Sequence, residues 1–157
     1  MNTQQPKTME RELIITRILD APREPVFRAW TDPAYLARWW GPKGFTNPVC
    51  EADVRPGGVL RIAMRGPDGS EYPMKGVFQE VVSPERLVFT NIAVDAGGKH
   101  LLEGVTQVTF AEQSGKTKLT VNTRAVAVVD HAVEYLKGME AGWTQSLERL
   151  EALVANN

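Results

Sequence analysis

Between Phe45 and about Ala127 the chain runs in short stretches that alternate apolar and polar residues. Turn signals separate them at Pro56-Gly57-Gly58, Pro67-Asp68-Gly69, Ser83-Pro84, Gly97-Gly98 and Ser114-Gly115. A period of two marks strands, and turns this short join neighbours, so the pattern dictates an antiparallel meander. Cys50, Ala52 and Val54, then Leu60, Ile62 and Met64, then Tyr72, Met74 and Phe78, fall on one face, as do Val108, Phe110, Leu119 and Val121 later. The intervening positions, among them Arg61, Lys75, Gln79, Lys118 and Thr120, are polar. A sheet that is apolar on one side needs a cover. The stretch from Leu87 to Ile92 is apolar on both sides, so alternation does not orient it.

The cover is the C-terminal segment. From Asp130 to about Ala155, Ala132, Leu136, Met139, Trp143, Leu147, Leu150 and Val154 recur at spacings of three and four, the stripe of an amphipathic helix. Gly138 and Gly142 each cost about 1 kcal/mol relative to alanine inside a helix. The start of the continuous helix is therefore open between Asp130, a cap residue, and Gly138. Ahead of the meander, ELIITRILD (12–20) reads as a strand with Ile14, Thr16 and Ile18 inward, because Arg17 belongs outside. REPVFRAW then places Val26, Phe27 and Trp30 at helical spacing, and Asp32-Pro33 supplies an N-cap and an N1 proline for a second short helix through Trp40. Gly41-Pro42 ends it. The expected fold class is α+β: a curved antiparallel sheet of about seven strands over one long helix, with two short helices after the first strand.

At 157 residues the chain fits a single domain that needs no disulfide or metal to hold it. Residues 1–9 read as a loose tail and 10–157 as the domain. A formal net charge of -1, with Lys and Arg scattered, lacks the basic face of a nucleic-acid binder. Cys50 is the only cysteine, which excludes an intramolecular disulfide and suits a reducing cytoplasm. The N-terminus has no apolar signal region and no segment is long and apolar enough to cross a bilayer. A soluble, cytoplasmic monomer or weak homodimer is expected.

Catalytic constellations are missing from the sequence. There is no Gly-x-Ser-x-Gly elbow, P-loop or dinucleotide fingerprint, and Gly57-Gly58 reads as a turn. His131 and Glu134 stand at i, i+3, but a metal site needs three or four ligands, so neither metal nor cofactor is expected. His100 follows Gly97-Gly98-Lys99 in a hairpin loop with no orienting partner in view. Cys50 reads as a small buried hydrophobe, and Asp53 with Arg55 as a pair bracing the turn. Sheet curvature and a straight helix seldom meet everywhere, and a gap between them would be an apolar pocket. Met64, Met74 and Met139 suit such an irregular wall. Tyr72 would bring a hydroxyl to it, either to orient a ligand or to reach water at the mouth.

RELIITRILDAPREPVFRAWTDPAYLARWWGPKGF, DVRPGG (53–58), GPDGSEYPMKGVFQEVVSPERLVFT (66–90), the VTF…GKTKLTV strands and GMEAGWTQSLERLEAL follow one another in a diagnostic order. Together they resemble the bacterial single-domain members of the activator of heat-shock-protein-90 ATPase homologue family, in the START-like, Bet v 1-like helix-grip (SRPBCC) superfamily. The resemblance implies a sheet wrapped on the C-terminal helix and a cavity between them, open near the two short helices. It transfers no catalytic residue. The eukaryotic co-chaperones of that family carry a further N-terminal domain for chaperone binding, where this chain begins with a short tail.

The expected function is non-covalent binding of a small hydrophobic or amphipathic molecule. The expected lining is Met64, Met74 and Met139 with Tyr72, Phe78, Phe110 and Trp143. Adjacent helical residues lie about 100° apart, so Trp39 and Trp40 divide between core and cavity rim, in an order the sequence leaves open. Two other readings stand beside it. One is a protein-interaction module with a chaperone as partner, as the family name implies; the other is a small hydrolase or cyclase working through Tyr72 or His100.

Overall fold

The structure, a computed structural model, describes residues 10–155; the expected tail at 1–9 lies outside them. The strands are β1 (Glu10–Leu19), β2 (Thr46–Ala52), β3 (Val59–Arg65), β4 (Glu71–Val82), β5 (Arg86–Val94), β6 (His100–Gln113) and β7 (Lys116–Ala127). They form one antiparallel sheet in the order β1-β7-β6-β5-β4-β3-β2. Helices α1 (Arg23–Thr31) and α2 (Pro33–Trp39) follow β1; a 3-10 turn (Asp130–Ala132), α3 (Val133–Lys137) and α4 (Met139–Ala155) follow β7. Every connection from β2 onward is to the neighbouring strand. Only β1 to β2 must travel from one edge of the sheet to the other, and α1 and α2 make that crossing, packing on each other and on α4.

The crossing is built by local chemistry. Asp32 ends one helix and begins the next: its N–H donates to Arg28 O at 2.8 Å, and its side-chain Oδ1 accepts from Ala34 N at 3.0 Å. Pro33 occupies the first helical turn, where its missing N–H is not needed. The second helix stops one residue earlier than the sequence predicts, at Trp39. Trp40 is already extended, because Gly41 follows at φ +97°, outside any right-handed helix.

β1 faces the opposite way from the expectation. Ile14 and Ile18 are 65% and 42% exposed and Thr16 is exposed, while Ile15 and Leu19 are buried. The cause is register with β7, which sets Ile15 opposite Val121, Arg17 opposite Leu119 and Leu19 opposite Thr117, all of whose β7 partners point into the core. Directly opposed residues share a face. Arg17 is half-buried there, and its Nη1 turns back to donate to Thr16 O at 3.0 Å.

The predicted inward faces of β2, β3, β4, β6 and β7 are the observed ones. β5 is resolved as buried on both sides: Leu87 and Phe89 enter the main core, and Val88 is covered on the outer face between Glu80 and Gln107. The C-terminal segment breaks at Gly138. Asp130 caps nothing with its side chain and lies within the 3-10 turn. Leu136 and Ala132 there close a small second core with Leu101, Ala125 and Ala127. Beyond the break, Leu147, Leu150 and Val154 seat α4 against β1, α1 and α2.

Candidate ligand cleft

Four positions on one face of the first half of α4, Met139, Gly142, Trp143 and Ser146, look toward the sheet but do not reach it. Between them and Met64 on β3, Tyr72 and Met74 on β4, and Asn91 and Ala93 on β5 lies a cleft of about 250 Å3. Register explains the sheet wall: Met64 stands opposite Tyr72, and Met74 opposite Ala93, so the side chains of each pair rise from the same face. Tyr135 of α3 and the segment Trp40-Gly41-Pro42 close the ends. No lining residue is an acid, a lysine, an arginine or a histidine.

The segment Trp40 to Pro42 is held by α4. The Nη1 of Arg149 donates to Trp40 O, Gly41 O and Pro42 O at 3.2, 2.9 and 3.0 Å, and its Nη2 donates to Arg38 O at 3.0 Å. Arg38 O belongs to the last turn of α2 and the other three to the segment that leaves it, where a cation also complements the helix dipole. Partial burial lowers the pKa of Arg149 below the ordinary guanidinium value. Gly41 N donates to Ser146 Oγ at 3.1 Å, which itself donates to Gly142 O at 2.9 Å. Asn47 Nδ2 adds bonds to Ala37 O and Trp40 O at 2.9 and 2.8 Å. Gly41 is required: besides its positive φ, a Cβ there would lie 2.8 Å from Met64 Sδ.

The two adjacent tryptophans part company at this segment. Trp39 is 0% exposed and its Nε1 donates to Ala29 O at 2.8 Å, tying α2 to α1. Trp40 is half-buried and forms a wall of the cleft, its ring 5.5 Å from that of Trp143 at 75°. Trp30, fully enclosed, touches the other three: its ring lies 4.6 Å from Trp39, 6.5 Å from Trp40 and 6.3 Å from Trp143, stacked on the last at 18°. The cleft thus has a rigid aromatic back wall continuous with the core.

Of the nine lining residues predicted from sequence, six surround the cleft: Trp40, Met64, Tyr72, Met74, Met139 and Trp143. Trp39, Phe78 and Phe110 do not. Phe78 and Phe110 are each 2% exposed and pack against Phe89 and Phe27 respectively, in the part of the interface where sheet and helices meet fully. Asn91, Tyr135 and Ser146 were not foreseen. Asn91 lies on the strand that alternation could not orient, and Tyr135 on the turn whose helical state was open. Ser146 does carry a signal, since it falls seven residues after Met139 on the inward stripe.

The remaining candidates lie elsewhere. His100 Nδ1 sits 2.7 Å from Glu103 Oε2 and does not line the cleft. His131 is exposed, and Glu134 pairs with Lys137 at 2.9 Å. Among the described residues no three of His, Cys, Asp and Glu come together as metal ligands. Arg55 Nε donates to Asp53 Oδ2 at 2.9 Å, bracing the turn before β3. Cys50 is half-buried at the core margin, and burial, with a smaller push from Glu51, raises its thiol pKa from 9.0 to about 11.

Two hollows among the described residues are larger than the cleft but differently made. One of about 340 Å3 lies between α1, α2 and the end of α4, where the donors of Arg149 are already spent on backbone carbonyls. The other, of about 430 Å3, lies on the outer face of the sheet between Glu103, Arg124 and Val105. Of these three, the cleft on the inner face combines aromatic and thioether walls with a few inward polar groups, the usual make-up of a ligand site.

This geometry has relatives. Residues 20–155 match the sequence model of the family described as Activator of Hsp90 ATPase homolog 1-like protein. The chain belongs to that family. With it comes the START-like, Bet v 1-like superfamily and its helix-grip fold. Among solved structures, a protein from Chromobacterium violaceum is 34% identical, with a TM-score of 0.77 over 91% of this chain and 96% of its own. The AHSA1 protein of Silicibacter pomeroyi is 26% identical, with a TM-score of 0.76 over 92% of this chain and 98% of its own. A protein from Nitrosomonas europaea is 26% identical, with a TM-score of 0.75 over 92% and 94%. No curated protein matches the chain in sequence. No helix among the described residues is long and apolar enough to cross a membrane.

Proposed function

We propose that this family member binds a small, uncharged hydrophobic or amphipathic molecule, non-covalently, in the cleft between sheet and α4. The observation that carries the reading is the lining itself: three methionines, two tryptophans and two tyrosines around about 250 Å3, with no charged side chain. For scale, an apolar cavity of roughly 150 Å3 accommodates benzene, so the cleft has room for a molecule of about two fused rings. Methionine walls adapt to shape, while the rigid indoles supply flat contact area at little entropic cost. The protein is assigned to the cytoplasm on the same reading, where the lone thiol of Cys50 stays reduced.

A hydrolase or cyclase reading is less well supported, since of the two groups it called on only Tyr72 reaches the cleft. The family description points to a chaperone as partner, and an ATPase assay with added protein tests that separately.

The direct test uses 2-acetylnaphthalene, followed by quenching of tryptophan fluorescence. Saturable binding is expected, with Trp40 and Trp143 reporting. Met139→Arg places a cation in the cleft from the exposed start of α4 and should abolish binding while leaving the circular dichroism spectrum unchanged. Absence of saturable binding to the wild type, or undiminished binding to Met139→Arg, sinks the proposal.

A further inference from the structure

At the back of the cleft, a polar chain runs along the core face of the sheet. Thr106 and Thr123, opposite each other on β6 and β7, are 0% and 1% exposed, and their hydroxyls meet at 2.8 Å. Thr106 Oγ1 donates to Asn91 Oδ1 at 2.8 Å. Two valines would fill the same space without desolvating any hydroxyl. The chain therefore has a consequence worth its desolvation, and its proton order shows which. Thr106 has one proton and gives it to Asn91, so in the contact with Thr123 it accepts and Thr123 donates. With Oδ1 accepting from Thr106 behind it, the Asn91 amide presents Nδ2 on its other side. Its Nδ2 ends the chain as a donor with no acceptor among the described residues, on a side chain that lines the cleft. Gly104 stands directly opposite, where a Cβ would collide first with the backbone, at 2.3 Å from Arg124 O, and would also lie 3.2 Å from Nδ2.

We propose that Asn91 is the specificity-determining residue of the cleft, donating from Nδ2 to a carbonyl oxygen on an uncharged aromatic ligand. This rests on the reading that the cleft binds small molecules, and it names their class: aromatic ketones, aldehydes or quinones in preference to the corresponding hydrocarbons. Carbonyl chemistry is selected by what is already taken. Ser146 Oγ accepts from Gly41 and donates to Gly142, and the carbonyls of Trp40, Gly41 and Pro42 accept from Arg149. The hydroxyls of Tyr72 and Tyr135 can donate as well as accept, whereas Nδ2 only donates, so a ligand group that only accepts matches every one of these groups without burying a proton of its own. A carboxylate would instead enter a lining that has no cation to pair with it.

The test compares 2-acetylnaphthalene with 2-ethylnaphthalene, which has nearly the same shape and no acceptor. The wild type should prefer the ketone by about tenfold, the worth of one well-made hydrogen bond. Asn91→Leu should bring the two within about twofold of each other. Thr106→Val, which changes no lining atom, should reduce the preference by releasing the amide. The carbonyl stretch of 2-acetylnaphthalene should shift to lower frequency in the wild-type complex; a band at its hexane position overturns the proposal even if Asn91→Leu does not fold. Equal wild-type affinity for the two compounds, or a preference that survives in Asn91→Leu, also overturns it. Binding of neither compound instead removes the cleft reading beneath it.

Discussion

The two halves of α4 present the same kind of stripe to the same sheet and meet different fates. In the second half, Leu147, Leu150 and Val154 are buried against β1, α1 and α2. In the first half, Met139 and Trp143 face Met64, Tyr72 and Met74 across a cleft. What differs is the cover. The α1–α2 crossing fills the closed end with Val26, Phe27, Trp30 and Leu36, and it stops at Trp40. A gap in such a fold is made by where the crossing segment ends as much as by what lines it.

The largest expected effect contrasts the neighbours on either side of that boundary. Trp39→Ala should lower the free energy of urea unfolding by about 3–5 kcal/mol, since it empties a fully enclosed site and frees Ala29 O. Trp40→Ala should cost less than half as much and yet abolish 2-acetylnaphthalene binding. If the two variants lost stability equally, the boundary between packed core and cleft would not lie between these residues.

Next in size is the clamp that joins the halves. Arg149→Met retains much of the stem but removes the guanidinium bonds to the carbonyls of Arg38, Trp40, Gly41 and Pro42, and should cost about 1.5–3 kcal/mol, the range for hydrogen bonds to charged groups. Probe affinity should fall with it because Trp40 is no longer held. Arg149→Lys should not restore the wild type, as a single ammonium cannot match the planar fork. Full recovery in the lysine variant would reduce the clamp to a point charge near a helix end.

The smallest effect lies at the sheet margin. Because the folded state raises the Cys50 pKa from 9.0 to about 11, it holds the thiol proton more tightly than the unfolded chain does. That contribution is fully present below pH 9 and is lost as the pH rises through 11. Wild-type stability should therefore fall more steeply between pH 9 and 11 than that of Cys50→Ala, in urea titrations at each pH. Parallel curves would place the thiol in contact with water.

The layers were legible in local sequence signals. The alternation from Phe45 to Ala127, the stripe from Ala132 to Val154 and the Asp32-Pro33 junction are local signals, because strand pleat, helical turn and capping geometry are fixed by residues a few positions apart. From them followed six of the nine lining residues, the antiparallel sheet and its cover. The tertiary structure alone decided what depends on partners far along the chain. Register with β7 turned Ile14 and Ile18 outward against the rule that a lone arginine faces water, since a one-residue choice flips a whole strand and only the opposite strand makes it. The seating of α1 and α2 assigned Trp39 to the core and Trp40 to the cleft, and buried Phe78 and Phe110 where the stripe alone allowed a cavity. Asn91, on a strand apolar to both sides, gained its place through two threonines on strands paired 15 and 17 residues apart in sequence, as Thr106 is from Asn91 and Thr123 from Thr106.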